Sequence, residues 1–425
     1  MKIIKTVCTF LFVITFLSII VLTNNIMKSN NDYESVKKNK TDVSMVVPIS
    51  TNGSEINFGY MLDDNFCEDN SISLHIRYME SDKYVEKVMV DLSNGVYDDI
   101  IIMPADNRNT DLFKYNKFLA LNRVIKPELI SKLNIDKSFF DRLTYDGELY
   151  GLPYDVKAAS VFVNNDILES AGLTYPKNME ELKNAASVLS KKNIPQFTLN
   201  SNGVGKYFFD YIISNCTDDD VRNITFEKFD KMYNNLKELY ELGAFAPGFS
   251  EMSDYDSKQL FLNGSAAMIV EDISFCREVN SLNNSSSKFG EKISVEYFPE
   301  DVYDSTKKLI YTLGDYTMFF TDKIDSDEKA RCVQTIIKKL YDKSDAEAYF
   351  SDSFTISTIK DIKPNSYFNK QMKDFFSLIN SSQMYMRPLD SDYGNALWMD
   401  EFMSKIEAAL SESKNSLWLW EELNR

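Results

Sequence analysis

The 425-residue chain sets 47 Lys and Arg against 64 Asp and Glu, a formal charge of −17, and contains a single histidine. That acidity repels phosphate backbones, so nucleic acid is excluded as a partner. One histidine cannot supply a multi-histidine metal site, and any Ser-His-Asp triad would have to use His75.

The first predicted element is the uncharged run 6–23, dominated by Phe, Ile, Leu and Val and preceded by Lys2 and Lys5. Its length reaches the lower limit for crossing a bilayer core. No small-x-small cleavage site follows Thr23, and Cys8 lies inside the run, so segment 1–28 is expected to act as an uncleaved anchor with its basic end in the cytoplasm. Residues 29–42 are polar and predict a flexible stalk. The roughly 380 residues beyond it exceed one core of about 100 to 200 residues and predict two domains.

Strands and helices then alternate. Residues 43–49 read as a strand, and 72–78 as a second in which His75 alternates with apolar neighbours and takes a structural role. Val85, Val88, Met89 and Leu92 fall at helical spacing over 83–93, Gly95 stops that helix, and 99–103 reads as a buried strand. In a βαβ unit ligands bind beyond the carboxyl ends of the strands, which singles out Asp106 and Asn107. Asp146-Gly147 predicts a hairpin turn, 149–154 and 158–163 extended segments, and 164–171 a short helix closed by Gly172. Pro176 leads into a helix from Asn178, with Glu181 three positions on completing a capping box. Asp218-Asp-Asp220 lacks the alternating ligands and glycine of a calcium loop and reads as an exposed turn before a helix at Thr225. Cys67, Cys216, Cys276 and Cys332 are irregularly spaced with no CxxC; buried free thiols are the plainer reading, and three disulfide pairings stay open. No cofactor or metal site is predicted. Helical periodicity returns at 371–379 and 399–410, and Trp418 and Trp420 read as a packed helix end.

This order of elements resembles the family 1 extracellular solute-binding proteins, the class that includes maltose-binding protein. The family's Gly-Leu-Pro-Tyr crossing stands at 151–154, its Asn-Lys-Asp-Leu-like helix start at 164–168, and its Ala-Gly-Leu turn at 171–173. Its Pro-x-Thr-Trp-x-Glu-Leu helix stands at 176–182 with Met179 in place of tryptophan. Residues 261–270 resemble the Phe-x-x-Gly-x-Ala-Ala-Met motif, after which the family often carries a ligand-stacking aromatic; Phe275 is nearest. Residues 314–320 resemble the return strand to the first lobe, followed by a helix over 328–341 and a Ser-Asp-Ala-Glu run from Ser344. The resemblance covers about 72–360. It departs after 43–49, where the family's tryptophan-bearing loop is missing; Trp398, Trp418 and Trp420 all lie near the C-terminus.

The resemblance implies an α/β, two-lobed periplasmic-binding-protein-like fold with a hinge, lobe 1 comprising 43–155 with 315–368 and lobe 2 comprising 156–314 with 369–425. It implies a monomeric, non-enzymatic receptor on the extracytoplasmic face that passes a small polar ligand, a sugar or oligosaccharide, to ABC-importer permease subunits; the apolar run 6–23, read from its own composition, is expected to tether it. Sugar rings offer apolar faces to aromatics and hydroxyl rims to carboxylates, amides or Arg. On that chemistry the candidate ligand-binding residues are Asp106, Asn107, Tyr154, Asp155, Phe275, Asp315 and Tyr316, together with Arg387 and Trp398. Two rivals stand beside it: a surface sensor or interaction protein on the same fold, and a glycoside hydrolase, for which no local motif marks a carboxylate pair.

Overall fold

A computed structural model describes residues 40–49, 58–80, 84–104, 113, 117–135, 139–140, 143–200, 203–214, 224–283, 289–299, 308–360, 362, 368–379, 384–388 and 393–424. In its first half the chain forms β1 (Thr41–Ile49), α1 (Asp64–Asp69), β2 (Ile72–Glu80), α2 (Tyr84–Ser93), β3 (Ile100–Pro104), α3 (Leu121–Val124), α4 (Pro127–Lys132), β4 (Thr144–Tyr145), β5 (Glu148–Leu149), β6 (Gly151–Asn164), α5 (Asn165–Ser170) and α6 (Met179–Ser190). There follow β7 (Phe197–Thr198), α7 (Lys206–Ser214), α8 (Phe226–Glu241), α9 (Asp254–Leu262), β8 (Met268–Asp272), α10 (Phe275–Asn283), β9 (Ile293–Glu296), β10 (Lys308–Phe320), α11 (Asp327–Leu340), α12 (Lys343–Ser353), β11 (Ile356–Ser357), α13 (Lys370–Ile379), β12 (Met384–Pro388), α14 (Tyr393–Ser411) and α15 (Ser416–Leu423). Among the described residues no helix is long and apolar enough to cross a membrane, and the run 6–23 lies outside them.

The sheet runs β2-β1-β3-β10-β6-β8-β7. β1 is parallel to β2 and β3, as the βαβ reading expects. β10 returns antiparallel, pairing Tyr316 with Pro104 on one side and with Asp155 of β6 on the other. The sequence predicts two extended segments at 149–154 and 158–163; the structure has one unbroken strand from Gly151 to Asn164. Its first half pairs with β10 and its second with β8 and β9.

Each half of β6 belongs to a different lobe. Leu152 and Tyr154 pack with β1, β3 and α11, while Phe319 and Ile101 cover the opposite sheet face with Tyr84 and Val88 of α2. Further along, Ala159, Val161 and Val163 face α6, α7, α8, α14 and α15, and Phe162 faces α9, α10 and α13. Both cores are therefore sheet-centred with helices on either side, as a sheet buried on two faces requires.

Local chemistry sets the element ends. Asn178 accepts from the Glu181 amide at 3.0 Å while the Glu181 carboxylate accepts from the Lys177 amide at 2.9 Å, and this pair opens α6. Gly151 must be glycine: a Cβ there would lie 2.5 Å from Thr317 Cγ2 on β10. The buried face of α2 is rotated from the expected one, to Tyr84, Val88, Asp91 and Leu92, with Met89 exposed. Tyr84 reaches into the sheet to donate to the Ile102 carbonyl at 2.5 Å, and Asp91 accepts from Lys87 and Arg77. Two polar anchors thus outweigh the apolar spacing of Val85 and Met89. His75 sits exposed on β2, 3.5 Å from Asp42. Cys67, Cys276 and Cys332 are buried free thiols; Cys216 and the Asp218–Asp220 turn fall outside the described residues.

Candidate functional site

The strand directions locate one place where chemistry can be shared between the lobes. In lobe 1 the carboxyl ends of parallel β1 and β3 lie at Ile49 and Pro104, and Tyr316 pairs with Pro104 at that edge. In lobe 2 parallel β7 and β8 end at Thr198 and Asp272, and Asp272 pairs with Ala159 of β6. The five residues from Asp155 to Ala159 therefore join the edges at which the parallel strands of both halves end, where open α/β sheets bind ligands.

At this crossing Asp155 and Tyr316 are register partners and Asp315 pairs with Val156. A register irregularity lies between Tyr316 and Thr317, and such a slip bends a strand and re-aims its side chains. Asp155 is fully buried and accepts from the Tyr349 hydroxyl of α12 at 3.2 Å. Burial, with Asp155 and Tyr154 beside it, raises the Tyr349 phenol well above its ordinary pKa, so it stays a donor. Tyr316 is only half-buried.

The other candidates are spread out. Tyr154 lies in an aromatic cluster, 5.2 Å from Phe58 and Tyr349 and 5.3 Å from Tyr341 between ring centroids, with no surface exposed. Phe275 is likewise enclosed, edge-on to Phe162 at 5.1 Å, so its ring belongs to the lobe 2 core in this structure. Both rings are placed by packing: the Gly-Leu-Pro-Tyr crossing lies under α11 and α12, and Phe275 opens a helix that docks on β6. Trp398 stacks on Phe402 at 5.4 Å against the lobe 2 core. Arg387 is the register partner of Tyr311, four residues before Asp315 on β10. Asp106 and Asn107 lie outside the described residues.

Lobe 2 contributes groups that motif reasoning missed. The turn after β7 folds Gly205 onto Asn200, where a Cβ would sit 2.6 Å from the Asn200 carbonyl oxygen, and Asn200 donates to Asp254 at 3.5 Å. Lys258 of α9 lies 2.8 Å from Asp254, 3.6 Å from Glu278 and 3.8 Å from Glu271. Burial alone would lower the Lys258 pKa; Glu271, Asp254 and Glu278 reverse that and hold it above the usual lysine value. Burial raises Glu271 more than Lys258 lowers it, and its Oε1 has no hydrogen-bond partner among the described residues. Only Asp254 and Lys258, one helical turn apart, could have been paired from sequence.

Residues 61–374 match the bacterial extracellular solute-binding protein family. A 117-residue stretch is 31% identical to the alpha-glucosides-binding periplasmic protein AglE of Rhizobium meliloti, covering 26% of this chain and 25% of that protein. Among solved structures, a family 1 extracellular solute-binding protein from Bifidobacterium longum subsp. infantis superposes with a TM-score of 0.70 at 17% identity, over 90% of this chain and 98% of the other. The sugar-binding protein MalE from Xanthomonas citri superposes with a TM-score of 0.72 at 14% identity, over 90% and 95%. At these identities the superpositions establish the two-lobed fold.

Proposed function

The chain belongs to the bacterial extracellular solute-binding proteins, and from that premise we propose that it captures a carbohydrate between its lobes outside the cytoplasmic membrane and hands it to the permease subunits of an ABC importer. The observation that carries this is β6, one continuous strand shared by two cores, with Tyr316 half-buried where the parallel strands of lobe 1 end. A half-exposed tyrosine offers a ring face for stacking and a hydroxyl for hydrogen bonding. In this reading Tyr316 contacts the sugar directly, Asp315, Asp106 and Asn107 bond its hydroxyls, and Arg387 and Trp398 lie at the rim. Tyr154, Asp155 and Phe275 act from below, Asp155 by fixing Tyr349 and the crossing. The lobes comprise 43–155 with 315–368 and 156–314 with 369–425, and closure bends the chain at 154–159 and 314–317.

The sugar-binding names of the similar proteins favour a glucoside or a short oligosaccharide as cargo. The apolar run 6–23 tethers the receptor beside its permease. A carbonate wash tests the tether: full-length protein retained in the membrane fraction supports it, and release into the supernatant contradicts it. A thermal-shift panel of mono- and oligosaccharides tests the cargo. A ligand at a hundred times its Kd stabilises by about 2.7 kcal/mol, and that rise in Tm is expected for one sugar class and reduced in Tyr316→Ala. No shift with any sugar contradicts the reading, and shortened oligosaccharide products would favour the hydrolase instead.

A further inference from the structure

A pocket of about 460 Å³ opens in lobe 1 where the end of α4, the corner between α11 and α12, and the segment at Ile359–Lys360 meet. Lys132, Lys338, Lys343 and Lys360 line it, and among the described residues Asp342 is the one lining carboxylate. Asp342 is already committed: it accepts from the Ser344 amide at 3.0 Å, the Ser344 hydroxyl at 2.6 Å and the Asp345 amide at 3.4 Å, which caps α12. Those bonds, led by that from Ser344, hold its carboxyl below the usual aspartate range, so it stays an acceptor for the helix end. Among the described residues Lys132 and Lys338 have no carboxylate partner, and Lys343 has Glu347 only at 3.9 Å. Lys132, Lys338 and Lys343 therefore line the pocket with at most a distant carboxylate partner among the described residues, beside one capping carboxylate, in a chain whose overall charge is −17. Lysines at helix C-termini complement the helix dipole, and Lys132 and Lys338 end α4 and α11 in that way. Lys343 begins a helix and Lys360 follows a strand, so the dipole does not account for those two.

The floor is apolar and fixed. Leu133 and Ile359 are buried, and the Tyr341 ring is anchored by its hydroxyl donating to the Pro153 carbonyl at 2.6 Å. A lysine ring over an apolar floor, at small-molecule volume, matches a doubly charged anion on a short organic body. We propose that this pocket binds a phosphate monoester or diester, presented either by a free phosphorylated small molecule or by the headgroup of an anionic phospholipid at the membrane face. The proposal does not depend on the carbohydrate reading.

The test uses the full-length protein with two probes. Glycerol 3-phosphate is measured by equilibrium dialysis, with chloride at matched ionic strength as control. Flotation with phosphatidylglycerol vesicles is compared with flotation on phosphatidylcholine vesicles, which accounts for any contribution of the run 6–23. Saturable binding of at least one probe is expected, weakened about tenfold in Lys338→Gln/Lys360→Gln, a loss equivalent to about 1.4 kcal/mol. Binding of the soluble ester alone assigns the pocket to a free metabolite, and selective flotation alone assigns it to a lipid headgroup. If that variant loses its folded circular dichroism spectrum, Lys132→Gln/Lys343→Gln takes its place. Equal behaviour of wild type and folded variant towards both probes overturns the proposal.

Discussion

Lys258 meets three carboxylates, at 2.8, 3.6 and 3.8 Å, while itself largely buried. Asp254 and Glu278 stay partly exposed and solvated when their cation is removed, so each pair contributes at most about 1 kcal/mol. Lys258→Met is therefore expected to lower the urea midpoint modestly, by about 1 kcal/mol of stability. Glu271 has the opposite sense. Its folded pKa is raised by burial, so the folded state holds its proton longer than the unfolded chain does. Its contribution is full below the unfolded value of about 4.3 and is lost as pH rises from there towards the folded value. Glu271→Gln should leave stability unchanged near pH 4 and raise it relative to wild type near pH 7, as read by denaturation at both pH values. Equal effects at the two pH values would show that Glu271 ionises freely in the fold. The distinction between Glu271 and the surrounding carboxylates was not legible in the sequence, because its burial comes from α9 and α10 folding over β8. The same limit applies to Tyr154 and Phe275: a motif locates the strand or helix, but tertiary packing decides whether an aromatic ring faces a neighbour or a ligand.

At the scale of elements, end signals were readable and faces less so. The capping pair Asn178 and Glu181 opens α6 as expected, and Asn178→Ala should cost about 1 kcal/mol of stability in chemical denaturation. Gly172 has φ +72° just past α5, where a left-handed residue closes the helix. By contrast, the buried stripe of α2 is displaced because Tyr84 and Asp91 find polar partners in the sheet and on β2. The crossing strand was read as two pieces because Asp155 and Lys157 interrupt the apolar run, yet its ladder continues through both lobes. Close packing holds that ladder at Gly151. Gly151→Ala would press its methyl into Thr317 and Phe319, and overpacking of this kind costs about 1–3 kcal/mol. A drop in Tm with an unchanged fold by circular dichroism is the expected outcome.

For the whole molecule, the single continuous strand β6 joins two sheet-centred cores into one body. Helix α12 ties this body together: Tyr349 donates to Asp155, and Phe354, which closes the helix in a left-handed conformation, lies under the Arg277 guanidinium of α10 at 4.8 Å. That cation–π contact links an element following the lobe 1 helices to one built on lobe 2. Two lobes and the order of their elements were legible from residues 151–182 and 261–270, because turns, caps and small-residue packing leave local marks. The candidate ligand side chains were less so, since a strand or helix pattern does not decide which of its side chains tertiary packing leaves exposed, as Tyr316 and Tyr154 illustrate. The most direct measurement is calorimetric titration of the full-length protein with α- and β-linked oligosaccharides, followed by chromatography of the recovered sugar. Saturable one-to-one binding of a sugar recovered intact, weakened about tenfold or more in Tyr316→Ala, is predicted. Absence of binding across the panel, recovery of shortened sugar, or equal affinity in Tyr316→Ala would contradict a carbohydrate receptor centred on the β6–β10 crossing.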